Sequence, residues 1–103
     1  MIPFFMGRFL DGIEDKAAAE KLLGQFRRFY YDTAVGISPA AVRCAIDVLG
    51  TERIVFASDV PWGLHSGNNR LEHYPEVIRS LGLSPELTGA IFSENIRRII
   101  RIP

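Results

Sequence analysis

The sequence has little of what usually marks a specialised chain. It contains one cysteine, Cys44, which excludes an internal disulfide framework and suits a reducing cytosol. It has no surplus of charge. Twelve Lys and Arg are balanced by twelve Asp and Glu, giving a formal net charge of zero and a pI near 6.7. That balance excludes an electrostatic nucleic-acid binder, whose phosphate contacts need a basic excess. No apolar run approaches the roughly 20 residues of a membrane-spanning helix. The opening Met1–Phe9 stretch is too short for the apolar region of a signal peptide and has no basic segment before it. Repeats, low-complexity tracts and linkers are missing too. What remains is ordinary: 48% hydrophobic and 23% charged residues, too apolar for disorder. At 103 residues the chain is one domain at most, and that size leaves roughly a third of the unfolded surface exposed. These numbers describe a soluble, cytoplasmic, single-domain chain.

The pattern along the chain is mixed. Met1–Gly12, with Pro3, Gly7 and Gly12, reads as irregular chain leading into a helix from Asp15 towards Arg28. Phe29–Thr33 is aromatic and β-branched and predicts a strand, closed by Gly36. Ser38-Pro39 is a cap followed by proline at the first helical position. Val42, Ala45, Ile46 and Leu49 then form one apolar face, with Gly50 as the stop. Ile54–Ala57 is continuously apolar, as buried parallel strands are, and ends in Ser58-Asp59-Val60-Pro61. Trp62–Arg70 reads as a loop and Leu71–Leu81 as a helix with Pro75 near its first turn. Ser84-Pro85-Glu86 opens another helix. Phe92–Ile102 carries Ile96, Ile99 and Ile100 on one face, with Arg97, Arg98 and Arg101 near its carboxyl end. The order predicts a βαβα unit with two parallel strands, 29–33 and 53–58, joined by a right-handed crossover. Two strands leave two open edges, whereas sheets of this kind usually have four or more. Either a partner covers those edges or the chain belongs to a larger barrel.

Asp59 is the leading candidate for chemistry. It follows an apolar strand at its carboxyl end, where parallel α/β folds gather their sites. A carboxylate there ligates a metal or acts as a general base; the alternative is a strand-end Asp that caps its turn. Asp32 ends the other strand on the same side, with a local turn or cap role favoured. His65 follows Asp59 by six residues on the loop that would border a pocket, where it contacts substrate or metal or is simply solvated. Trp62 either lines that pocket or packs. His73 reads as surface or packing, Cys44 as a small buried hydrophobe, and Asn95 as a cap or buttress of the last helix. The arginine cluster reads as a solvated face. Gly67-Asn68-Asn69 lacks the spacing of a phosphate loop, and neither His nor Cys forms a nucleophile–base pair.

Four segments carry a family resemblance. Phe56-Ala57-Ser58-Asp59-Val60-Pro61-Trp62 resembles the strand-eight motif of the amidohydrolase-related family. This group includes aminocarboxymuconate semialdehyde decarboxylase and related non-oxidative decarboxylases. Phe29-Tyr30-Tyr31-Asp32-Thr33 is similar to strand seven, Glu94-Asn95-Ile96-Arg97-Arg98-Ile99-Ile100 to the C-terminal helix, and Ile2-Pro3-Phe4-Phe5-Met6-Gly7-Arg8 to the P-x-x-x-G-R segment after strand six. The resemblance implies the last two β/α units of a (β/α)8 TIM barrel, with residues 1–103 as a single partial domain. Asp59 would then be a metal ligand or catalytic carboxylate. Arg8 would bind a substrate carboxylate, in some members across a dimer interface; the alternative is a surface arginine paired with Asp11. The implied cofactor is a divalent metal, zinc first, and the implied substrate a small carboxylated molecule that is decarboxylated or hydrolysed. The family's H-x-H pair and strand-five His have no counterpart here, and the His before P-x-x-x-G-R would fall just upstream of Met1. Metal binding and activity are therefore not expected of this chain alone. Two other readings are a non-enzymatic remnant that self-associates through strand edges near Tyr30 and Val55, and a small α/β ligand-binding domain. A homo-oligomer is expected; nucleic acid and membrane are not expected as partners.

Overall fold

Helix starts follow the capping signals. In the computed structural model, which describes residues 2–34, 38–62 and 71–103, Asp15 Oδ1 accepts from the Ala17 N–H at 2.9 Å and opens α2 (Lys16–Phe26). Ser38 Oγ accepts from Ala41 at the start of α3 (Pro39–Leu49), and Ser84 Oγ accepts from Leu87 at the start of α5 (Pro85–Gly89). The Glu86 carboxyl is held below its ordinary range by the Ser84 hydroxyl and its own backbone N–H. α3 stops at Gly50, whose φ of 80° lies in the left-handed region that favours glycine. α4 (His73–Arg79) takes Pro75 within its first turn, where a missing N–H costs no helical bond.

The amino-terminal stretch departs from expectation. Residues 2–11 form α1 (Ile2–Asp11) rather than irregular chain. Pro3 sits in the first turn, and Gly7 costs only about 1 kcal/mol relative to alanine in a helix interior. Burial of Met6, as α1 packs on α3, outweighs that cost.

The two strands are parallel, as expected, but shorter. β1 (Tyr31–Asp32) pairs with β2 (Ile54–Val55), Tyr31 opposite Ile54 and Asp32 opposite Val55, and α3 connects them. The predicted 29–33 and 53–58 shrink because neighbouring groups take the ladder's donors. The Phe56 N–H goes to the Ile91 carbonyl at 2.9 Å. The Ala57 N–H goes to Thr33 Oγ1 at 3.0 Å, and that hydroxyl donates to the Ala57 carbonyl at 2.9 Å. On the amino side Phe29 and Tyr30 are exposed. Arg53 spans this end, donating to the Arg28 carbonyl and stacking over the Tyr30 ring. Burial pushes the Tyr31 phenol up, so it stays a donor, to the Phe26 carbonyl.

The core lies between β2, α3, α4 and the carboxyl-terminal helix. Val42, Ile54, Val77, Ile78, Leu81 and Ile91 are buried together, with Phe56 and Phe92 against them. Arg43 donates to the Leu81 carbonyl and ties α3 to the end of α4. The last helix is continuous from Pro85 but changes pitch. A π-helical turn, Ala90–Glu94, separates α5 from α6 (Asn95–Ile100). The predicted apolar face of Ile96, Ile99 and Ile100 is exposed, whereas Ile91 and Asn95 point into the protein. Both meet β2: Asn95 through the Thr51 and Ile54 carbonyls, and Ile91 through the Phe56 N–H. No described helix is long and apolar enough to cross a membrane.

Candidate functional site

The carboxyl ends of β1 and β2 place Asp32 and Asp59 on the same side of the sheet. Asp32 is occupied locally: its Oδ1 accepts from the Ala34 N–H at 2.9 Å, the expected turn role. Asp59 is different. Its φ is 59°, a left-handed conformation that few residues other than glycine adopt and that Asp tolerates better than most. Its carbonyl accepts from the Trp62 N–H at 2.9 Å, across a turn whose Val60-Pro61 peptide is cis. The residue is exposed.

Two groups that the sequence motifs do not single out hold this turn. Thr33, 5% exposed, bridges both backbone groups of Ala57 just before it. Tyr74, buried in α4, donates its hydroxyl to the Trp62 carbonyl at 3.4 Å from the far side. The available signal for Thr33 was a hydroxyl directly after an apolar strand, where a buried polar side chain must find partners. For Tyr74, on an otherwise apolar helix face, no spacing rule marks the role.

The other candidates are scattered. Trp62 is 72% exposed. Arg8 is exposed on α1, which packs on α3 and α2. His65 lies outside the described residues. Cys44 is half-buried and lines a largely apolar groove together with Asp32, away from the Asp59 turn. Among the described residues, no three His, Cys, Asp or Glu side chains gather to hold a metal. A zinc centre takes at least three protein ligands. Asp59 and Asp32 alone do not fit one.

The left-handed backbone at Asp59 separates shape from charge. Asp59→Gly is expected to be within about 0.5 kcal/mol of the parent, and Asp59→Asn close to it. Asp59→Val is expected to lose about 1–2 kcal/mol, because a β-branched residue is strained at positive φ. Urea unfolding measures all three; a valine variant as stable as the glycine one would contradict the assigned conformation.

A comparison with curated proteins finds no match. Residues 10–102, however, match the amidohydrolase family. The matched span holds both strands, the Asp59 turn and the whole carboxyl-terminal helix, and leaves Arg8 outside it. A parallel strand pair, a carboxylate at its carboxyl end and a match over most of its length agree: the chain belongs to the amidohydrolase family.

Proposed function

We propose that this chain carries the last two β/α units of an amidohydrolase (β/α)8 barrel. In this reading it supplies Asp59 to a metal-dependent decarboxylase or hydrolase site for a small carboxylated substrate, similar to that of aminocarboxymuconate semialdehyde decarboxylase. The observation that carries the reading is Asp59 itself. It stands at the carboxyl end of a parallel strand, on a turn fixed by Thr33 and Tyr74, and barrel enzymes take their reacting groups from that position. Two of eight strands account for the short sheet. The domain from 1 to 103 is then partial, and the remaining ligands come from other residues of the complete barrel. Arg8 binds the substrate carboxylate, since a guanidinium fork matches a carboxylate in two parallel hydrogen bonds. Trp62 and His65 border the same site. A cytoplasmic location accords with the single cysteine.

On its own the chain should be silent. Zinc titrated into the purified 103-residue protein is expected to leave far less than one ion per chain after dialysis, with no release of carbon dioxide from aromatic carboxylates. One retained zinc ion per chain together with turnover would sink the partial-barrel reading. Joined to a six-strand half from another amidohydrolase, the chain should restore turnover. Asp59→Asn should then lower that turnover by about 10²-fold or more, the scale of a lost general acid or base. A folded, active hybrid indifferent to Asp59→Asn would remove Asp59 from the chemistry.

A further inference from the structure

The carboxyl-terminal helix runs away from Asp59. The Ile91 carbonyl meets the Phe56 N–H at the carboxyl end of β2, and four residues later Asn95 meets the Thr51 and Ile54 carbonyls at its amino end. Helix and strand therefore run in opposite directions, and residues 97–103 lie beyond the amino end of β2. There the chain turns back on itself. Arg101 has a left-handed φ of 54°, and the N–H groups of Arg101 and Ile102 both go to the Arg97 carbonyl. This turn shapes an open hollow of about 520 Å³, lined by Glu94, Arg97, Arg98, Arg101, Ile102 and Pro103. All six residues are exposed.

Three guanidinium groups around one hollow need a reason, because like charges repel. Helix capping does not supply it, since backbone N–H groups take the Arg97 carbonyl. Arg97 Nη1 donates to Glu94 Oε1 at 3.2 Å, whereas Arg98 and Arg101 have no side-chain partner among the described residues. Two carboxylates oppose the three cations, Glu94 and the terminal group of the 103-residue chain, so the rim keeps an excess of positive charge. A guanidinium fork offers paired donors that match phosphate oxygens. Ile102 and Pro103 add an apolar side that suits an organic group attached to the phosphate. The balanced charge of the whole chain argues against a long polyanion; a single phosphate answers to local charge alone.

We infer that this hollow binds the phosphate group of an organic phosphate, held by Arg98 and Arg101, with Arg97 released to it from Glu94. The site lies apart from Asp59 and needs neither a metal nor further barrel strands, so its failure and that of the proposed function are separate results. Isothermal titration calorimetry of the purified chain with phenyl phosphate should give a Kd below about 1 mM at about 20 mM salt. Inorganic phosphate should bind more weakly, and added salt should weaken both. Arg98→Gln and Arg101→Gln should each lower the affinity about fivefold, the scale of an exposed charge pair. Glu94→Gln should raise it, because the carboxylate that competes for Arg97 is gone. Arg28→Gln, an exposed arginine outside the hollow, should change nothing. Binding of phenyl phosphate places the ligand in solution. Without it, sedimentation of the chain with phosphatidylcholine vesicles holding about 5% phosphatidylinositol 4-phosphate, lost in Arg98→Gln, makes the phosphate that of a lipid headgroup. Neither response overturns the inference, as does binding that Arg28→Gln weakens as much as Arg98→Gln.

Discussion

Replacing Asn95 by leucine, which has nearly its shape, is expected to lower stability by about 2–4 kcal/mol. Asn95 is completely buried, and its Nδ2 donates to the carbonyls of Thr51 and Ile54, each at 2.8 Å. Leucine strands the buried Ile54 carbonyl, at about 1–3 kcal/mol, and leaves the Thr51 carbonyl with only the Ile54 N–H, at 3.2 Å. One offset is built in. Asn95 Oδ1 is itself buried without a hydrogen-bond partner, so the substitution also removes an unsatisfied acceptor. For a domain of this size the net loss corresponds to a melting temperature lower by roughly 10–25 °C. Asn95→Asp should be worse, because it keeps the shape, removes both donors and turns a carboxylate towards two carbonyl oxygens. Thermal and urea melts by circular dichroism, at one fixed chain concentration, are the measurement. A leucine variant within 1 kcal/mol of the parent would show that those carbonyls find other donors.

Ile91→Ala is the second large effect, expected to cost about 3–4 kcal/mol. Ile91 has no exposed surface and sits in the cluster formed with Val42, Ile54, Val77, Ile78 and Leu81. Truncation removes the transfer free energy of the lost methyl groups and leaves a cavity that the surrounding side chains fill only in part. Ile91→Val deletes a single methylene and should cost about 0.5–1.5 kcal/mol. The two variants together distinguish packing from backbone effects, since both retain the carbonyl that receives Phe56. If alanine cost no more than valine, the site would be able to collapse, and the core at the π turn would be looser than its burial indicates.

Much of the architecture was legible where local chemistry decides it. Ser38-Pro39 and Ser84-Pro85 mark their helix starts because a side-chain acceptor and a fixed φ act within a single turn. Gly50 marks a stop because its left-handed backbone does. The apolar run at Ile54 predicts a buried parallel strand, and the family resemblance read around Asp59 falls within the matched span. The errors share one cause, namely that contacts distant in sequence compete with local preference. α1 forms in spite of Pro3 and Gly7 because α3 gives Met6 somewhere to go. The strands end early because Thr33 and Ile91 take bonds that a ladder would have used. The face of the last helix was misplaced because one of the two residues that meet β2, Asn95, is polar, and a count of apolar residues passes it over in favour of the exposed isoleucines. At the candidate site the carboxylate was visible as a motif. Its supports, the Thr33 hydroxyl and the Tyr74 phenol, were not, because a hydrogen bond across 24 or 12 residues has no local signature.

The π turn has a consequence for how the molecule breathes. Asn95 grips the amino end of β2 through Thr51 and Ile54, and the Ile91 carbonyl grips its carboxyl end through Phe56. Both grips come from neighbouring turns of one helix, so strand and helix open and close as a single cooperative unit. The amides of Ile54, Phe56 and the Ala90–Asn95 turn should therefore exchange with solvent deuterium at a common rate, separate from that of β1. The strand that leads into the Asp59 turn is thus anchored from the carboxyl-terminal helix, while the turn itself is held by Thr33 and Tyr74.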